Sequence, residues 1–367
     1  MNLHTPSPAE FVPSAKSQSV DFASASLADA DMSLTSSAGE GVRHSVEMPL
    51  NEAAREVSET LLKTERSYKV AVAQIKTNPG QIEANTQKVV EKIEAAKRQG
   101  AQLVVFPEAT INAYTSMDLQ YNRNYVRDNL KALDRIKEAS EGITVVVGFV
   151  DVEEQRANPG GRPDLYNSAA VIRDGKILSV QDKTLHPNYN LFFEDRYYSA
   201  PRKNGVVDLG DIKLGTTICE DIWAEEEGYQ SNPADDLVAQ GADLLVNLSA
   251  SPFHMGKQRT REGIITGTAA KHSVPCVYTN LVGGFDGYEG EVIFDGRSLV
   301  ADAEGNLIAA GKGFEEDLLF VDVFKPQEVV IPDMSQMEEL HDALVLGIKD
   351  FAERCGPAGE KIVIGVS

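Results

Sequence analysis

Gln99-Gly100-Ala101-Gln102-Leu103-Val104-Val105 runs into Phe106-Pro107-Glu108, and it is echoed by Gln240-Gly241-Ala242-Asp243-Leu244-Leu245-Val246. Each copy follows a helical stretch that stops at glycine, and each opens a short apolar strand. Each is followed later by a second β-prone run, Ile143 to Val150 in one case and Val274 to Thr279 in the other. The pattern predicts two related α/β halves with sheet inside and helices outside. Aligning the copies puts Glu108 opposite Ser249. Both then sit just past the carboxyl end of equivalent strands, where α/β folds place their sites.

Working outward, Lys69 to Ile75 reads as a strand, and Gln81 to Gln99 as a helix with Val89, Ile93 and Ala96 on one face. Tyr166 to Arg173 and Lys176 to Val180 flank Asp174-Gly175, a strong hairpin signal. Gly210-Asp211 plays the same part between Val206–Leu209 and Lys213–Ile218. So does Glu304-Gly305-Asn306 within Asp302 to Leu307. Residues 1–67 are rich in Ser and Ala and poor in aromatics, the composition of a mobile tail, with a short helix possible over Leu50 to Lys63. Residues 68–325 form the main domain. Residues 326–367 read as a separate unit: an amphipathic helix from Met337 to Cys355, stopped by Gly356-Pro357, then an apolar strand from Lys361 to Val366. The helix's apolar face carries Met337, Leu340, Leu344, Ile348, Phe351 and Cys355, and helix and strand together read as the first element of another domain, cut short.

The chain has 367 residues and a formal net charge of -21. Such an acidic surface repels phosphate backbones and anionic lipid, so neither nucleic acid nor membrane is an expected partner. No apolar run is long enough to span a bilayer, and Met1 to Pro8 lacks the features of a secretory leader. Three cysteines cannot build a disulfide framework, so a reducing, cytoplasmic setting is expected.

Cys219 ends a strand-like run, the place where a nucleophile is presented on a turn. Cys276 lies inside an apolar strand and Cys355 on the apolar face of the last helix, and both read as packing residues. Glu108 beside Phe106 and Ala109 has the setting of a general base, and Lys183 follows another strand end. Each residue alone is equally compatible with a helix cap or a surface charge. His186, His254 and His272 leave a Cys–His dyad open. No metal-ligand spacing occurs, so no metal site is expected.

Phe106-Pro107-Glu108, Asp182-Lys183 and Ile218-Cys219-Glu220-Asp221-Ile222-Trp223 together resemble the carbon–nitrogen hydrolases (nitrilase superfamily). Lys183 to Tyr189, Phe193 to Tyr198 and Asn247 to His254 extend the resemblance to the glutaminase domains of glutamine-dependent NAD synthetases. The resemblance implies a four-layer αββα sandwich and a glutamine amidohydrolase. It makes Cys219 the nucleophile, Glu108 the general base and Lys183 an oxyanion donor with the backbone N–H of Glu220. It implies substrate-binding roles for Tyr114, Tyr189, Glu194, Glu220, Trp223, Ser249, Ser251 and Arg259. It requires no cofactor in this half. ATP and deamido-NAD would bind an absent synthetase domain, of which residues 326–367 are expected to hold only the linker, first helix and first strand, and a homo-oligomer is expected. Ala109 to Ala113 departs from the family pattern, so the pocket rim and the strictness of glutamine selection stay open. The rivals are a stand-alone amidase or N-carbamoyl hydrolase with the same triad, and a catalytically idle interaction module.

Overall fold

The computed structural model describes residues 66–157, 163–202, 204–287, 290–331 and 334–356. The readings over residues 1–65, including the Leu50–Lys63 helix, and over Lys361–Val366 lie outside the described residues. Arg66 and Ser67, assigned to the tail from sequence, are bonded to the body. Arg66 reaches Asp243 at 2.9 Å and Ser67 donates to Asp322 at 2.6 Å.

The first sheet contains β1 (Lys69–Gln74), β2 (Leu103–Val105), β3 (Thr144–Ala157), β4 (Pro163–Arg173), β5 (Lys176–Asp182) and β14 (Asp317–Asp322), in the order β14-β1-β2-β3-β4-β5. The second contains β6 (Val207–Asp208), β7 (Lys213–Ile218), β8 (Leu244–Ser249), β9 (Cys276–Asn280), β12 (Leu299–Ala301) and β13 (Leu307–Ala310), in the order β13-β12-β9-β8-β7-β6. In each, three central strands run parallel (β1-β2-β3 and β7-β8-β9) and the outer strands join antiparallel. The two echoed stretches become β2 and β8, the middle strands of the two parallel trios.

Alternation along the strands sorts the layers. Val70, Val72, Leu103 and Val105 point inward and meet Leu214, Leu244, Val246 and Val277 of the other sheet. Ala71, Ala73 and Val104 point outward onto α1 (Ile82–Arg98) and α2 (Arg123–Ala139) through Val89, Ile93, Leu133 and Ile136. Leu245, Cys276 and Tyr278 pack on α3 (Pro233–Ala239) and α4 (Lys257–His272) through Leu237, Ile265 and Ala269. The result is the expected helix–sheet–sheet–helix sandwich. A one-residue slip of β1 would carry Val70 and Val72 out of the central layer.

Two local devices serve the site. Asn232 caps α3 through Ala234 N–H and Asp235 N–H, with Pro233 at the first helical position. Gly148 on β3 lies directly beneath the segment that follows β2. A Cβ there would fall 2.3 Å from the Ala109 nitrogen and 2.7 Å from the Pro107 carbonyl oxygen, so only glycine lets the Glu108 segment rest on the strand.

The last helix corrects the sequence reading. α5 (Gln336–Arg354) forms with a Ser335/Glu338 capping box, but it docks through Glu339, Ala343, Gly347 and Asp350. These meet the hairpin of β10 (Val282–Gly287) and β11 (Gly290–Asp295), with Gly284 N–H donating to Asp350 at 2.7 Å and Lys76 pairing with Asp350 at 2.7 Å. Gly284 and Gly347 approach so closely that a Cβ on Gly284 would lie 3.0 Å from the Gly347 Cα. Met337, Leu344, Ile348 and Phe351 therefore face outward, between 51% and 70% exposed. Cys355 is exposed too and is not a packing residue. Small and charged side chains won the docking because two glycines permit close contact and the buried charges find partners. No described helix is long and apolar enough to cross a membrane.

Candidate active site

The carboxyl ends of the strands deliver three side chains to one buried point. Glu108 follows β2, Lys183 follows β5, and Cys219 follows β7. Glu108 is fully buried and Lys183 is 1% exposed. Lys183 Nζ donates to Glu108 Oε1 at 2.8 Å and to Glu194 Oε1 at 2.7 Å. Tyr114 O–H donates to the same Glu194 oxygen at 2.8 Å. Asn167 Nδ2 holds Glu108 Oε1 at 2.7 Å and Ala250 N–H holds Oε2 at 3.0 Å. Glu108 thus has both oxygens fixed before any substrate arrives.

Cys219 opens a one-turn helix, Cys219–Trp223, with φ of 46°. That left-handed backbone costs a β-carbon residue on the order of 1–2 kcal/mol, and such strain concentrates at working sites. Asp221 stabilises the turn. One of its oxygens accepts Ile218 N–H at 2.9 Å, and the other accepts Thr184 N–H at 2.9 Å and Leu185 N–H at 2.8 Å. One buried carboxylate therefore ties the lysine segment to the cysteine turn.

The electrostatics define resting protonation. Burial pushes the Cys219 thiol well up and the Glu108 charge adds to this, while Lys183 pulls the other way. The resting nucleophile is a thiol that needs its proton removed. Burial would lower the Lys183 ammonium, but the Glu108 and Glu194 carboxylates outweigh it and hold Lys183 well above the usual lysine value. Burial raises Glu194 to about 7 against the opposing pull of Lys183. Burial raises Asp221 to about 7 as well.

A second cluster flanks the cysteine. Glu220 Oε1 accepts Tyr189 O–H at 2.9 Å and Tyr229 O–H at 3.0 Å. Trp223 is buried, and Lys257 Nζ lies 3.7 Å from its ring centroid. Burial lowers the Lys257 ammonium, as does Arg261, while the Cys219, Glu227 and Glu220 groups favour its charge. A carboxylate and an ammonium thus both lie within electrostatic reach of Cys219.

Most residues singled out from sequence meet here: Glu108, Lys183 and Cys219, with Tyr114, Tyr189, Glu194, Glu220 and Trp223. Ser251 is buried and its N–H donates to Asn280 Oδ1 at 2.9 Å. Ser249 is fully buried, with its hydroxyl donating to Asn247 Oδ1 at 2.7 Å. Asn247 in turn reaches the Cys219 carbonyl at 3.4 Å, so Ser249 supports the cysteine turn from behind. Arg259 lines a cavity with Ile222 and Glu225, on the far side of the cysteine turn's helix. On α4, Lys257 and Arg261 share a face, and Arg259, two residues from each, lines another cavity with Glu262 and Arg297. The histidines are engaged elsewhere, His186 with Asp195, His254 with the Met255 carbonyl and His272 with Asp235.

Sequence reading missed Asn167, Tyr229, Lys257 and Arg261, and it gave Asp221 no role. Asp221 stood inside the cysteine motif. Lys257 sits one turn before Arg261 on a helix with little amphipathic pattern, so nothing in its surroundings marked it.

Residues 69–327 match the family model described as carbon–nitrogen hydrolase. The glutamine-dependent NAD(+) synthetase of Thermotoga maritima is 35% identical over 344 residues, covering 82% of this chain and 56% of that protein. That of Synechocystis sp. is 36% identical over 312 residues, covering 82% and 55%. Among solved structures, the glutamine-dependent NAD+ synthetase of Acinetobacter baumannii matches with a TM-score of 0.71 at 33% identity, over 79% of this chain and 53% of that one. An amidase of the nitrilase superfamily from Nesterenkonia AN1 shares the fold, with a TM-score of 0.58 at 21% identity, over 70% of this chain and 91% of that one. The chain spans about half the length of the curated relatives it matches.

Proposed function

The chain belongs to the carbon–nitrogen hydrolase family, and from that premise we propose that it releases ammonia from the side-chain amide of L-glutamine through a thioester on Cys219. The Cys219 sulfur attacks the amide carbon while Glu108 takes the thiol proton, as a raised thiol requires. Lys183 and the Glu220 N–H receive the charge that develops on the carbonyl oxygen. Glu108 returns the proton to the leaving nitrogen and ammonia departs. Glu108 then draws a proton from water, which attacks the thioester and frees glutamate and the thiol. Glu194 and Tyr114 hold Lys183 in place throughout.

One observation carries the choice of glutamine over a simple amide. Glu220, braced by two tyrosines, and Lys257, seated over Trp223, supply opposite charges near the same cysteine. They complement the α-ammonium and α-carboxylate of a free amino acid, which a simple amide lacks. The relatives' names further support a reading in which the ammonia serves a glutamine-dependent NAD synthetase. ATP and deamido-NAD would then be handled by the part of such proteins that this chain does not span. No cofactor is needed for the hydrolysis itself.

The test is ammonia release from glutamine, propionamide and N-carbamoyl amino acids. Glutamine is expected to be preferred, and Glu220→Gln and Lys257→Met to raise its KM about 10-fold or more, the loss of one charged contact. Both variants should leave propionamide turnover nearly unchanged. Release from carbamoyl substrates alone would favour the N-carbamoyl hydrolase reading, and no release from any substrate the idle module.

A further inference from the structure

We propose that Arg261 is a positioning residue whose guanidinium holds the Ala250–Pro252 segment behind the general base and Lys257 in one register. This rests on the glutamine reading above. Arg261 is 1% exposed, the largest fully buried side chain among the described residues, and it projects from α4 beneath the Ala250–Gly256 segment. Its Nη1 donates to Asp295 Oδ1 at 2.6 Å, and Asp295 is itself fully buried. Its Nη2 donates to the Ser251 carbonyl at 2.8 Å, the Pro252 carbonyl at 3.1 Å and the Ser251 hydroxyl at 3.3 Å. Asn280 closes the clamp from β9, giving Nδ2 to the Ser251 carbonyl at 3.3 Å and taking the Ser251 N–H at 2.9 Å.

The peptide so clamped is adjacent to the catalytic centre. The residue before Ser251 is Ala250, whose N–H holds Glu108 Oε2 at 3.0 Å. One turn before Arg261 on the same helix face is Lys257, the cation over Trp223. Arg261 therefore sets, through one rigid group, the donor to the general base and the cation offered to the substrate carboxylate. Asp295 fixes the guanidinium from the opposite side.

The composition of the clamp argues for placement rather than for stability alone. A buried ion pair contributes little net stability compared with apolar residues of similar volume. Among the described residues Arg261 Nε and Asp295 Oδ2 find no hydrogen-bond partner. What Arg261 supplies is a planar fork that addresses two carbonyls, a hydroxyl and a carboxylate in fixed directions. A lysine would keep the charge opposite Asp295 but could not reach this set.

The experiment compares wild type, Arg261→Lys and Asp295→Asn. It measures kcat and KM for glutamine, and the rate of Cys219 alkylation by iodoacetamide, which lacks both the amino and the carboxylate group. In both variants, glutamine KM should rise at least 10-fold, while kcat and the rate of Cys219 alkylation fall together by only several-fold, because both steps need Glu108 to take the thiol proton. Variants with unchanged KM beside an active wild type would overturn the inference, as would activity and alkylation lost together at unchanged KM. A wild type that hydrolyses another amide but not glutamine would overturn the substrate reading, and the inference with it.

Discussion

Lys183 is a buried cation between two buried carboxylates, at 2.8 Å from Glu108 and 2.7 Å from Glu194. Removing it leaves the buried Glu108 without its counter-charge, which typically costs 3–5 kcal/mol, about the scale of the missing oxyanion contact. Lys183→Met is therefore expected to lower stability by about that amount and to abolish turnover, as urea titration and ammonia release would show. Glu194 gives a pH signature. Its folded-state carboxyl lies near 7 because burial resists its charge, above its usual value of 4.5. The native state then binds the proton more tightly than the unfolded chain, so this group's contribution is fully present below about 4.5 and lost as pH rises through about 7. Between pH 4.5 and 8, wild type should lose more stability than Glu194→Gln, by roughly 1–3 kcal/mol. Equal losses would show that Glu194 is not held protonated. The meeting of Glu108, Lys183 and Cys219 was legible because three short motifs in order resemble one family, whereas each strand-end position alone left a cap or a surface charge open. Lys257, Tyr229 and Arg261 were not, since their significance depends on which helix face or loop turns toward Cys219, and local residue types do not record that.

α5 shows the same limit at the level of an element. Its spacing identified a helix correctly, but the apolar stripe did not disclose the face by which it docks. The docked face is made of Glu339, Ala343, Gly347 and Asp350, selected by close backbone approach and paired charge rather than by hydrophobicity. Replacing Met337, Ile348 and Phe351 with polar residues should change folding stability by no more than about 0.5 kcal/mol each, as for exposed positions. Gly347→Leu should cost about 1–3 kcal/mol, because Gly284 approaches so closely that its own Cβ would lie 3.0 Å from the Gly347 Cα, which leaves a leucine no room. Urea titration separates the two, and the opposite ranking would mean that the stripe is the packed face. The strands were easier to read. The three turns flagged by Asp174-Gly175, Gly210-Asp211 and Gly305 each join an antiparallel pair, because a tight turn leaves the chain few alternatives.

Across the whole described molecule, the repeated Gln-Gly-Ala stretch was the most informative feature. It marks the middle strands of two sheets with the same order of parallel and antiparallel neighbours. The two halves nonetheless contribute unequally. Glu108, after one middle strand, bonds Lys183 directly, while Ser249, the last residue of the other, supports the cysteine turn through Asn247. Alignment could place both at the site but could not divide the labour, which depends on where Cys219 and Lys183 enter from β7 and β5. The central claim is that chemistry passes through an acyl group on Cys219, and hydroxylamine partition tests it most directly. With wild-type protein and glutamine, added hydroxylamine should divert product from glutamate to the γ-glutamyl hydroxamate while ammonia release continues. Cys219→Ala should give neither product. Steady ammonia release with no hydroxamate at any hydroxylamine concentration, or hydroxamate from the Cys219→Ala variant, would contradict the account.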